Sequence, residues 1–300
     1  MRKEQNITKE DCKKLALKIK NEFYRPVNTY KTTIFLCGAD LNDKDKIRFQ
    51  IADIIKRDIS YKINLDLVYP EDVFEELLYS SKRRDLLSLE NMLADSVDVI
   101  VIIPESPGSF SELGAFANNP TLREKTICIL DQQYKKRKSF INEGPIKLIK
   151  KSHKYGLIYF DQSNIYNSMN KLKSYAKKIK KQSNKKTNKI SLLQLENFLL
   201  PSIFLLEPVG KNFLNRLTFY ATNDNKNSYQ ATLTALSLLI KKRKIESTNE
   251  GYKLTDLGLN TFFELKKSSS RIKRHDKTIA LDDLRLEILN FKLRNKKLRV

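Results

Sequence analysis

"VDVIVIIPESPGSFSELGAFANNP", Val97 to Pro120, runs from an apolar stretch through a Pro-Glu-Ser-Pro-Gly-Ser loop into helical spacing with an early glutamate. Val97 to Ile103 is apolar on both faces, as a central strand of a parallel sheet requires. The loop and the helix start after it have two explanations. Ser109-Phe110-Ser111-Glu112 matches S-x-x-E, so Ser109 can cap the helix while Glu112 reaches back to the Ser109 amide. Alternatively the loop holds a sugar or phosphate and Glu112 is the reacting carboxylate. Gly108 admits close backbone approach, and a helix N-terminus offers free amides to an anion. A glutamate there can attack an anomeric carbon or stabilise an oxocarbenium-like centre. Gly114 and Ala115, being small, let the helix lie close to the sheet.

Working outward, "TTIFLCGAD" and "INLDLVYPED" precede this stretch as two further strands, and "KTICIL" and "YGLIYF" come after it. Helical spacing separates them: Ile47, Ile51, Ile54 and Ile55 after the first strand, then stretches around Val73 to Tyr79 and Leu86 to Ala94. Strands alternating with helices predict an α/β fold, a parallel sheet flanked by helices in the Rossmann-like manner. Ligands of such sheets gather beyond the carboxyl ends of the strands. Cys37-Gly38-Ala39-Asp40, Tyr69-Pro70-Glu71-Asp72 and the loop from Glu105 to Ser109 all lie at such ends. Asp40 can bind a ribose hydroxyl or cap the next helix. Asp98 reads as a strand-entry residue, and Glu105 as a second carboxylate or a solvated loop residue.

The chain has 57 Lys plus Arg against 35 Asp plus Glu, a net charge of +22 at pH 7. That excess predicts a polyanionic partner, nucleic acid first. Hydrophobic residues make up 40%, enough for globular domains with their own cores. Cys12, Cys37 and Cys128 are far apart and distant from both His153 and His275, so neither a disulfide framework nor a metal site is expected. Met1-Arg2-Lys3 leads into polar sequence, and no apolar run nears the roughly 18 residues of a membrane span. A cytoplasmic protein without membrane contact is expected.

At the N-terminus, Thr8 to Phe23 predicts an amphipathic helix capped by Thr8, with Cys12, Leu15, Ile19 and Phe23 on one face. From Lys171 to Lys189 there are nine lysines and no acid, a helix end running into a linker. Beyond it the pattern is helical: "LLQLENFLLPSIFLL", then "SYQATLTALSLLIKKRKI" with Ala231, Leu236, Leu239 and Ile240 inward. "KIESTNEGYKL" predicts a hairpin turning at Asn249-Glu250-Gly251, "TDLGLNTFFEL" another helix, and Leu281, Leu284, Ile288 and Phe291 a last one. Helices, hairpin, helix is the order of an α-rich winged helix-turn-helix domain. Lys241, Lys242, Arg243 and Lys244 then lie where a recognition helix meets its wing, placed for phosphate contacts. Lys135-Lys136-Arg137-Lys138 and the Lys171 to Lys189 run are further candidates for RNA or DNA.

"IFLCGAD", "VYPED" and "SVDVIVIIPESPGSFSELGAFAN" together resemble the nucleoside deoxyribosyltransferase-like superfamily over roughly residues 30–160. Gly108, Ser109, Glu112, Leu113 and Gly114 match its motif, which implies that Glu112 is catalytic and that Gly38, Tyr69, Glu71, Gly108 and Ser109 contact the substrate. The family commonly carries an aspartate two residues before the glycine. Here Ser106 stands there, which leaves room for an N-glycoside other than an ordinary nucleoside.

The whole layout also resembles the effectors of a bacterial retron type, through "TIFLCG", "LLSLEN", "ESPGSF", "ELGAF" and "LDDLRLEILNF". That resemblance implies an antiphage toxin that hydrolyses the N-glycosidic bond of NAD or a related nucleotide. NAD is then the substrate and no cofactor is required. It also implies control by a reverse transcriptase with its msDNA and msrRNA, and a higher-order oligomer. The implied layout is an N-terminal helix (1–30), a glycosidase domain (31–181), a basic linker (182–190) and a winged helix-turn-helix domain with its C-terminal helix (191–300). A deoxyribosyltransferase or hydrolase of purine deoxynucleotides, and a non-enzymatic winged-helix regulator, are the alternatives.

Overall fold

The computed structural model describes residues 8–71, 96–183, 194–223 and 228–270, with residues 286, 288 and 290. The chain forms two compact units, residues 31–188 and residues 1–30 together with 189–300. The described helices are α1 (Lys9–Ile19), α2 (Arg25–Tyr30), α3 (Ile47–Arg57), α4 (Ile59–Lys62), α5 (Pro107–Asn118), α6 (Pro120–Arg123), α7 (Phe140–Glu143), α8 (Pro145–Ser152), α9 (Ile165–Ser183), α10 (Glu196–Leu206), α11 (Lys211–Ala221), α12 (Ser228–Lys241) and α13 (Asp256–Ser270). The strands are β1 (Thr32–Cys37), β2 (Leu65–Val68), β3 (Val99–Ile102), β4 (Thr126–Asp131), β5 (Leu157–Phe160), β6 (Ile245–Thr248) and β7 (Gly251–Leu254). The helices expected around Val73 to Tyr79 and Leu86 to Ala94, most of the basic linker, and Leu281, Leu284 and Phe291 lie outside the described residues.

The five predicted strands form one parallel sheet in the order β2-β1-β3-β4-β5. All six residues of β1 and all four of β3 are buried, because helices cover both faces. Ile51, Ala52 and Ile55 of α3 and Leu172, Ala176 and Ile179 of α9 supply part of the covering core. Each such buried Leu or Ile contributes about 1.5–3 kcal/mol over exposure. Asp98, expected as a strand-entry residue, accepts from the Thr33 amide at 2.9 Å and from Lys180 of α9 at 2.9 Å. It ties α9 to the start of the sheet. The chain leaves β1 towards β2 on one side, while β3 lies on the other. That reversal of winding direction opens a crevice between the ends of β1 and β3.

Among its described residues the other unit is helical with one hairpin. Thr8 caps α1 by accepting from the Asp11 amide at 3.1 Å, and Cys12, Ile19 and Phe23 are buried against Phe198, Leu214 and Phe262. The N-terminal helix therefore packs within the unit formed by the C-terminal residues. Lys20, almost fully buried, donates to the carbonyl of Ala221 at the end of α11 at 2.6 Å, where the helix dipole is negative. β6 and β7 pair antiparallel around Asn249-Glu250. Gly251 has φ +134°, and a Cβ there would lie 2.6 Å from the Val209 carbonyl, so only glycine fits. Ile240, expected inward on α12, is 42% exposed. It sits near the helix end, past the buried Leu236 and Leu239.

Candidate active site

Three strand ends meet at the crevice, and one buried side chain links two of them. Arg48, on α3, is fully buried. Its guanidinium donates to the carbonyls of Leu36 (2.9 Å) and Ala39 (2.7 Å) at the end of β1, and to both carboxylate oxygens of Glu71 beyond β2 at 2.7 Å. It also lies 5.7 Å from the ring centre of Tyr69. Gly38 is required by this packing, since a Cβ there would come within 2.9 Å of the Arg48 side chain. Burial works against the charge of Arg48, but the bidentate bond to Glu71 and the charges of Glu71 and Glu112 hold its pKa above the ordinary value. Burial likewise pushes the Glu71 carboxyl up, while the Arg48 hydrogen bonds pull it down further, for a net lowering. The charge of Asp40 opposes that lowering.

The loop after β3 corrects the expected cap. Helix α5 begins at Pro107 and its N-cap is Ser106, not Ser109. Ser109 is the third helical residue. Its hydroxyl accepts from the Ser106 amide at 2.9 Å and the Glu105 amide at 3.1 Å, while Ser106 accepts from the Ser109 amide at 3.3 Å. In that reciprocal capping box the Ser109 amide goes to Ser106 rather than to Glu112. Glu112 stands in the second turn, half-buried, one turn beyond the exposed Gly108 on the same helix face. Ser106 also reaches across the crevice to the Gly38 carbonyl at 3.3 Å. A Cβ on Gly114 meets no described atom within 4 Å, so close packing against the sheet is not what its size serves.

Glu105 is half-buried and bonded to a helix start, not a solvated loop residue. Its oxygens accept from the Ile47 and Arg48 amides at 2.8 and 3.2 Å, capping α3 from a distant segment. Burial holds its carboxyl above the usual range, and those two amides only partly offset this.

Residues 44–247 match the family described as STM3845 retron effector protein. A relative in Escherichia coli, named "Retron Ec86 putative ribosyltransferase/DNA-binding protein", is 38% identical over 294 residues, covering 92% of this chain and 90% of its own length. The chain belongs to the retron effector family. Another Escherichia coli relative, "Retron Ec73 putative ribosyltransferase/DNA-binding protein", is 39% identical over 134 residues, 43% of this chain and 41% of its own. In this retron effector Arg48, Glu71, Glu105 and Glu112 all fall inside the matched segment, whereas Gly38 and Asp40 precede it.

The crevice thus brings together Gly38, Asp40, Tyr69, Glu71, Ser106 and Ser109, with Arg48 between them and the charge of Glu112 within its field. Lys241 to Lys244 belong to the other unit of the effector. There Lys242 donates to Glu196 at 2.7 Å, and Lys244 lies 4.0 Å from the same carboxylate. All three cysteines are buried free thiols, and burial pushes Cys128 up to about 12, so it is not a nucleophile. Among the described residues, no cluster of three or more His, Cys, Asp or Glu is placed to hold a metal ion. Among them also, no helix is long and apolar enough to cross a membrane.

Arg48 escaped the sequence reading, although a signal exists. In "IRFQIADII" it is the one cation on the face that carries Ile51, Ala52 and Ile55. A charge on the apolar stripe of a helix requires buried partners. The capping box carries its own expected result. Ser106→Ala should lower the stability of the sheet unit by about 1 kcal/mol. Ser106→Asp keeps a good N-cap and should stay near wild type, as urea unfolding of the two variants would register.

Proposed function

We propose that this effector hydrolyses an N-glycosidic bond of NAD, with Glu112 acting at C1′ of the nicotinamide ribose. The observation that carries this reading is the position of Glu112. It lies past a complete serine capping box, at the crevice of a parallel sheet, where its charge is felt by a buried arginine. In the proposed step the Glu112 carboxylate bonds to C1′, or stabilises positive charge there, as the C1′–N bond breaks. The bonding pair goes to the pyridinium nitrogen, so nicotinamide departs neutral and needs no acid. Ser106 in place of an aspartate is compatible with such a leaving group. Water then attacks C1′, giving ADP-ribose and a proton and restoring the carboxylate. The exposed Gly108 holds the ribose or phosphate. Ser109, buried and engaged in the capping box, shapes the loop rather than touching substrate, and Arg48 keeps the strand ends in place.

The names of the Escherichia coli relatives point to ribosyl chemistry and DNA binding, and both agree with this reading. Incubating the purified protein with NAD and then with purine deoxynucleotides, and separating the products by chromatography, tests it. Free nicotinamide is expected. Free purine base alone would replace NAD with deoxynucleotides, and no product from either substrate would remove the enzyme reading.

The proposal extends to control. Residues 191–300 are taken as a winged helix-turn-helix domain. The run of α10, α11 and α12 into the β6–β7 hairpin and α13 supports this, as does the added pairing of Val209 with Tyr252. That domain and the basic linker (182–190) would hold the effector silent on the retron reverse transcriptase and its msDNA, in a higher-order assembly. Exchanging Lys241, Lys242, Arg243 and Lys244 for Gln should weaken retention of msDNA and flatten its salt dependence by up to about 0.9 per lost duplex phosphate contact. Glu196 already engages two of these lysines, so the slope should change by fewer than four contacts. Co-purification with reverse transcriptase and msDNA at low and high salt reads this out. A slope unchanged in the variant would remove the quartet from the interface.

A further inference from the structure

A concentration of cations lies on the sheet unit, whereas the wing quartet belongs to the other unit. A cleft of about 470 Å³ opens beyond β4. Lys135, Lys136, Arg137 and Lys138 form one wall, and Lys147, Lys150 and Lys151 of α8 form another. Among the described residues, Glu143 is the one acid on its lining, and it is bound to Lys147 at 2.9 Å. Seven cations facing one cavity repel each other, a cost the fold itself offsets at a single point. A multivalent anion would relieve it.

The wall is built rather than loose. Asp131 caps the turn that begins it by accepting from the Gln133 amide at 2.9 Å. The side-chain amide of Asn142 donates to the carbonyls of Tyr134 (3.2 Å) and Arg137 (2.7 Å), clamping the basic loop onto α7. Aromatic rings are interleaved with the cations. The Arg137 guanidinium lies 5.0 Å from the Tyr134 ring centre, and the Lys135 ammonium 5.2 Å from that of Tyr159. Phe140, which opens α7 two residues after the basic run and is not among the residues lining the cleft, is 86% exposed. A phenylalanine so exposed gains nothing from the fold.

We propose that this cleft binds single-stranded nucleic acid, with phosphates along the Lys135 to Lys138 wall and a base stacked on Phe140. Basic residues that track a backbone beside an open aromatic face are the pairing that single strands use, because their bases are free to stack. A duplex keeps its bases paired and would engage the cations alone. The site does not depend on the glycosidase reading and is read out by binding, so either can fail without the other.

The test uses the full chain and two fluorescent probes, a sixteen-residue oligothymidine and a duplex of similar length, by anisotropy at several salt concentrations. Both wild type and the Lys241 to Lys244 Gln variant serve as backgrounds, which removes the contribution of the wing. Replacing Lys135, Lys136, Arg137 and Lys138 by Gln should weaken oligothymidine binding at least about tenfold and reduce the salt slope by roughly 0.7 per lost contact. Phe140→Ala should weaken oligothymidine binding roughly five- to tenfold and leave duplex affinity unchanged. All five side chains are exposed, so the fold should be kept. Unchanged affinity and slope in the quadruple variant would overturn the site. Equal loss for both probes in Phe140→Ala, or no loss for either, would overturn the single-strand assignment. So would a cleft whose substitution disturbed only binding to anionic lipid vesicles or to a protein partner.

Discussion

Glu112→Gln should reduce NAD cleavage by at least about a thousandfold while leaving the fold intact, a loss of roughly 4 kcal/mol of transition-state stabilisation. The substitution is nearly isosteric and removes only the negative charge, which the proposed chemistry needs as nucleophile or as stabiliser of the cationic centre. The expected cap, Glu112 on the Ser109 amide, is filled by Ser106 instead. Ser106 and Ser109 complete the capping box, and Glu112 stands in the next turn. A kcat near wild type, measured as nicotinamide released, would show that the carboxylate is no participant. A rise in KM alone would instead make Glu112 a binding residue. The variant should unfold in urea close to wild type, which separates lost chemistry from lost structure.

How much of the fold and site was legible in sequence depended on how local the interactions are. The five strands of the sheet were visible because each is a short β-branched or apolar run closed by polar or Gly/Pro residues, and in β1, β3 and β4 burial on both faces leaves little other use for such runs. The position of the crevice came from the same pattern. The helix start after β3 was misplaced because two overlapping serine motifs compete there. Pro107 was the missed arbiter, since proline favours the first helical position and so designates Ser106 as the cap. The capping of α3 by Glu105 spans 57 to 58 residues and had no local signature. Arg48 was legible in part: its place on an apolar stripe announces buried partners but not which ones. Its partners, the end of β1 and the Tyr69–Glu71 segment beyond β2, exist as a set only once the sheet is ordered.

Removing that arginine should have the largest effect on stability. Arg48→Met keeps the bulk of the stem but leaves the Leu36 and Ala39 carbonyls without their donor and Glu71 without its counter-ion. Breaking a buried charge from its partners costs about 3–5 kcal/mol, and the lower end applies because Glu71 is 60% exposed and stays hydrated. Glu71→Gln leaves the buried Arg48 charge without its counter-ion, so it should also cost up to about 3 kcal/mol, tempered because the Leu36 and Ala39 carbonyls still accept from the guanidinium. The two variants should also differ with pH. The folded pKa of Glu71 lies below its unfolded value, so its contribution is present above the ordinary carboxylate range and is lost as pH falls through the lowered folded value. Wild type should weaken in that acid window by an increment that Glu71→Gln lacks, with Arg48 protonated throughout. Because Arg48 also holds Gly38–Ala39 and Glu71 at the crevice, Arg48→Met should raise KM for the nucleotide even where the protein remains folded. Urea unfolding at two pH values, with kinetics at the higher one, separates these effects. If Arg48→Met unfolds with wild type and keeps its KM, the guanidinium fills space and ties nothing.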